Sequence, residues 1–73
     1  MNTAMLPKSY EEWQVCITVI CGQELTLPFV ETRIKSLSSP NDHMTRRFVQ
    51  LYGEGQRAKT LEWFSQAKRQ LQA

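Results

Sequence analysis

Five residues, Gly22, Pro28, Pro40, Gly53 and Gly55, cut this chain into segments of helical length, and that punctuation constrains its fold more than any other feature. Glycine just past an apolar run stops helices, and proline in a first turn starts them. The parse predicts an all-α, single small domain of about four short helices, a helical bundle over residues 9–73 that is open to dimerisation. Residues 1–8 carry no hydrophobic period and read as a flexible N-terminal arm, with Leu6 able to fold back onto the core. A second domain is excluded, because a chain of 73 residues buries only about 60% of its unfolded surface.

The first segment contains two opposed signals. Ser9-x-x-Glu12 is a capping-box pattern, Glu11 and Glu12 suit a helix N-terminus, and Gly22 is a stop. Between them, Trp13 to Cys21 is so rich in β-branched residues that local propensity favours a strand. The cap and stop agree and no partner strand is visible elsewhere, so a helix is expected. Tyr10, Trp13, Val15, Cys16, Ile17, Val19 and Ile20 then cover about two thirds of its circumference, which predicts a central helix or one shared with a second copy. A homodimer follows as the expected assembly, since small cores often need that help.

Three further helices are expected. Thr26 caps the second, Pro28 sits in its first turn, and Val30, Ile34 and Leu37 line its inner face with Leu27, while Glu31 and Lys35 pair in water. The third is expected to start at Ser39 with Pro40 in its first position and a core stripe of Met44, Phe48, Leu51 and Tyr52. The fourth runs from about Gly55 to Leu71, with Leu61, Phe64, Ala67 and Leu71 inward and Trp63 at the edge of the stripe.

Little in the sequence points to catalysis. His43 is the only histidine, and no nucleophile elbow, P-loop, dinucleotide-binding turn or His-Glu-x-x-His accompanies it. Cys16 and Cys21 lie five apart, about 140° around an α-helix, so they read as reduced, buried hydrophobes that cannot pair. With one histidine they fall short of a structural zinc set, so neither metal nor cofactor is expected. The opening residues lack a basic leader and no apolar run reaches the roughly 18 residues of a membrane span, which suggests a cytoplasmic protein with no membrane association.

Binding is the remaining class. Net charge is +2, but residues 1–32 carry one base against four acids, and residues 33–73 carry eight bases against three acids. On the third helix His43, Arg46, Arg47 and Gln50 fall within about 100°, opposite the apolar stripe. That strip, with Trp63 as an anchor, is the expected contact surface of a non-enzymatic regulatory module binding a protein partner. The alternative is a DNA-binding transcriptional regulator in which the second and third helices form a helix-turn-helix-like unit. Asp42 at the helix end that would approach phosphate, a link without glycine and the low net charge weigh against nucleic acid.

Overall fold

Ser9 opens the first helix as its capping pattern predicts. In the computed structural model, which describes residues 6–73, the Glu12 N–H donates to the Ser9 hydroxyl at 3.1 Å and α1 spans Tyr10–Val15. The Glu12 carboxylate reaches one residue further back than a capping box requires and accepts the Lys8 N–H at 2.9 Å. The β-branched run stays helical but widens into a π-turn, Cys16–Ile20, in which the Cys21 N–H donates to the Cys16 carbonyl at 3.0 Å. Ile17, Thr18, Val19 and Ile20 crowd a tight preceding turn, and the Thr18 hydroxyl takes the Gln14 carbonyl at 2.7 Å, so both sterics and side-chain competition loosen the ladder there. Gly22, at φ +67, ends it.

The second helix, α2, spans Leu27–Ser38, with the Thr26 hydroxyl accepting the Phe29 N–H and Pro28 in the first turn. The third, α3, spans His43–Tyr52 and begins later than the sequence suggested: Ser39 to Asp42 form a turn, and Asp42 is the cap. The fourth, α4, spans Glu54–Gln72 and starts one residue before the expected glycine. Gly53 alone separates α3 from α4, at φ +93 and ψ 161, a conformation essentially reserved for glycine. The expected four-helix, all-α bundle is the observed fold.

The long helix α4 is the floor on which α1, α2 and α3 all rest, with α2 making the most extensive contact. Trp13, Val30, Leu37, Trp63, Phe64 and Ala67 form the buried core. Its centre is aromatic: the Trp13 ring meets Phe64 edge-on at 4.7 Å, and Phe29 meets Phe64 at 6.0 Å. Tyr10 stacks on Trp13 and its hydroxyl donates to Gln70 at 2.9 Å, pinning α1 near the end of α4. The indole N–H of Trp13 is buried without a partner among the described residues.

Several side chains face otherwise than the sequence suggested. The bundle measures 33 × 30 × 18 Å, about two helix layers deep, so each helix is covered on one side only. The first helix is therefore peripheral, and Val15, Val19 and Ile20 point to solvent, the last two at 72% and 75% exposed. Leu71 is likewise exposed, and Cys21 lies on the surface. Glu31 approaches Lys68 of α4 at 3.6 Å, which makes it a link between helices. The expected N-terminal arm falls largely on residues 1–5, outside the described residues; Leu6 and Pro7 are half-buried.

Candidate functional site

A ring of hydrogen bonds at the α2–α3 turn decides which way α3 faces. The Asp42 carboxylate accepts the Thr45 N–H at 2.9 Å and the Ser36 hydroxyl at 2.8 Å. The Thr45 hydroxyl in turn donates to the Ser36 carbonyl, near the end of α2, at 2.7 Å. These donors hold the Asp42 carboxyl below the usual carboxylate range, the Thr45 N–H contributing most. Thr45, polar and only 3% exposed, is thus turned toward α2.

The rest of α3 follows from that anchor. Counting about 100° per residue, Leu51, Met44, Phe48, Tyr52, Thr45 and Val49 share one arc of about 160°, with Thr45 toward one side of it. With Thr45 inward, Phe48 and Val49 are half-buried and the far end of the arc emerges: Met44 is 61% exposed, Leu51 60%, and Tyr52 is also open. Tyr52 packs edge-on against Phe48 at 5.0 Å, giving the strip a continuous aromatic part. The expected core stripe is therefore largely a surface. Its breadth and the threonine within it were the available signals, since one helix contact rarely covers 160°.

His43, Arg46, Arg47 and Gln50 are all exposed on the adjoining polar side of α3. Arg46 and Gln50 also border an open cleft of about 620 Å³ between α2, α3 and the start of α4, with Leu37 and Pro40 on its walls. Arg57 closes the cleft at the α4 end. Its guanidinium grips the Glu54 carboxylate and donates to the Leu37 carbonyl at 2.7 Å, tying the first turn of α4 to the last turn of α2. The pair favours both charged forms, lowering the Glu54 carboxyl and raising Arg57, in each case chiefly through their mutual hydrogen bonds. Arg46 and Arg47 make no ion pair among the described residues, whereas Lys68 and Arg69 face Glu31 and Glu62.

Trp63 does not join this surface. It is 8% exposed, a member of the core facing Trp13 at 6.4 Å, so the anchor expected at a stripe's edge is an interior residue. Sequence spacing placed it one position from Phe64, but two helices converge on this part of α4 and bury both rings.

The described residues contain no group of three His, Cys, Asp or Glu that could hold a metal ion, and no helix among them is long and apolar enough to cross a membrane. No protein-family model matches the chain, and no curated protein or solved structure shows significant similarity to it. The functional reading rests on the α3 surface.

Proposed function

We propose that the chain is a non-enzymatic interaction module that binds a protein through α3. One observation carries this: a strongly amphipathic helix holds Met44, Leu51 and Tyr52 outward, beside exposed Arg47 and His43. Apolar area next to arginine is the composition of protein interfaces, and a helix face is a sufficient docking element. The complementary surface is apolar and rimmed by carboxylates. The chain carries such a surface itself, because exposed Val15, Val19 and Ile20 occupy the same helical unit as Glu11 and Glu12. A second copy, docked head to tail, is the partner this pairing favours.

Sedimentation equilibrium of the intact chain tests the reading. Self-association that Leu51→Asp and Val19→Asp each abolish, and that an equimolar mixture of the two variants restores as a dimer only, is the expected outcome. In that mixture each variant contributes its one intact surface. A wild type that stays monomeric at high concentration removes the second copy as occupant. The module then requires an acidic, apolar-faced partner, and failure of amphipathic acidic helical peptides to bind would remove that reading too.

A second reading has one supporting observation. His43, Arg46, Arg47 and Gln50 form a single exposed polar strip on the helix that follows a short turn. Such a strip suits base-edge recognition in DNA, although the anionic Asp42 lies at the end nearest phosphate. Anisotropy of a labelled duplex that rises at low salt and falls steeply as salt is added would favour it; a flat signal at low salt would eliminate it.

A further inference from the structure

The π-turn changes the relation between the two cysteines. In an α-helix, residues five apart point about 140° away from each other. Here the residue that accepts from Cys21 is Cys16 itself, through the 3.0 Å backbone bond, so residue 21 stacks over residue 16 on one side of the helix. The α-helical separation expected of them therefore does not hold here, and both cysteines are free. Cys21 is exposed, Cys16 half-buried, and the chain leaves the helix immediately afterwards at Gly22. The exposed apolar residues Val19 and Ile20 lie between them in sequence.

We propose that Cys16 and Cys21 form a paired-thiol modification site that reacts with low-molecular-weight disulfides and closes an intramolecular disulfide across the π-turn. The exposed Cys21 is the entry point. Its thiolate attacks one sulfur of the small disulfide; a Cys21–S bond forms, the small molecule's S–S bond breaks, and one thiolate departs to take a proton from water. Cys16 then loses its proton to solvent and attacks the Cys21 sulfur, expelling the second small thiolate. Two protein thiols are oxidised and one small disulfide is reduced to two thiols. Burial and the neighbouring Cys21 thiol push the Cys16 thiol up, in keeping with its role as the second, tethered nucleophile. A disulfide needs its Cβ atoms about 3.5–4.5 Å apart, closer than stacked residues one helical turn apart usually stand, so closure tightens the turn at its Gly22 end.

Oxidised glutathione is the probe, applied to the intact chain, with remaining thiols alkylated and the products read by intact mass and non-reducing electrophoresis. The expected wild-type product is a monomer that has lost two hydrogens and takes up no alkylating agent. Cys16→Ser should accumulate a stable glutathione adduct at Cys21, and Cys21→Ser should form its adduct at Cys16 about tenfold more slowly, as reduced access predicts. Closure should also run about tenfold faster in the native chain than in urea, because the fold brings the thiols together. Wild-type chain that stops at a glutathione adduct, that cross-links between copies, or that closes no faster when folded than when unfolded would overturn the proposal.

Discussion

α2 and α3 both read as amphipathic in the sequence, yet they turn their apolar sides in opposite directions. α2 buries Val30 and Leu37 completely against α4, while the one fully enclosed residue of α3 is a threonine. The difference lies in what fixes each helix. α2 is held by shape, with aliphatic side chains packed against the Trp63, Phe64 and Ala67 side of α4. α3 is also tied by polar bonds, since Asp42 and Thr45 link its first turn to Ser36. Within this part-buried ring Thr45 alone is enclosed, and rolling the apolar stripe inward would part its hydroxyl from the Ser36 carbonyl.

Leucine truncation is the sharpest way to break this comparison. Leu37→Ala should cost about 2–5 kcal/mol, a large part of the stability of so small a domain, whereas Leu51→Ala should change it by less than about 0.5 kcal/mol. Urea unfolding of the two variants measures both, and equal losses would mean that α3 packs its stripe after all. Next in size, Gly53→Ala places a side chain at φ +93, where there is room for it but no favourable backbone well, and should cost about 1–3 kcal/mol in thermal unfolding. Thr45→Val keeps the shape and removes the hydroxyl bond to Ser36, with an expected loss of about 1–2 kcal/mol. It should also bring Met44 and Leu51 under greater protection from solvent, as α3 becomes free to roll.

The smallest effect is in acid. Asp42 titrates below its unfolded value, so its contribution to stability is complete above about pH 4 and is lost as pH falls through the lower folded value. Glu54 behaves in the same sense through Arg57. Urea midpoints measured downward from pH 5 should therefore fall for the wild type and fall less steeply for Asp42→Asn.

Much of the fold was legible. Ser9, Thr26, Gly22 and Gly53 act at the boundaries that their side chains or backbone freedom imply, and Val30, Ile34, Leu37, Phe64 and Ala67 pack inward or against the core as periodicity predicts. The start of α3 after Asp42 rather than at Ser39 was not legible, because Pro40 suits a first helical turn and a preceding turn equally well. The exposure of Met44 and Leu51 was not legible from period alone. Periodicity gives the apolar side of a helix and says nothing of a partner across the turn that claims Thr45. That Cys16 and Cys21 share one side of the helix was hidden for a similar reason, since an α-helical pitch, which the β-branched run abandons, sets them about 140° apart. Of the polar strip on α3, all four residues lie where sequence placed them, at the surface.

Both tryptophans lie in the interior, on α1 and α4, and α3 has none. Indole emission is therefore a spectroscopic report on the core, blue-shifted while the rings are shielded and moving to the red only when α1 leaves α4 or the bundle opens. Tyr52, open on the outward strip, is the chromophore that the proposed docking partner would cover. Unfolding and association thus have separate optical signatures in the unmodified chain, and the two processes can be followed in one cuvette without a label.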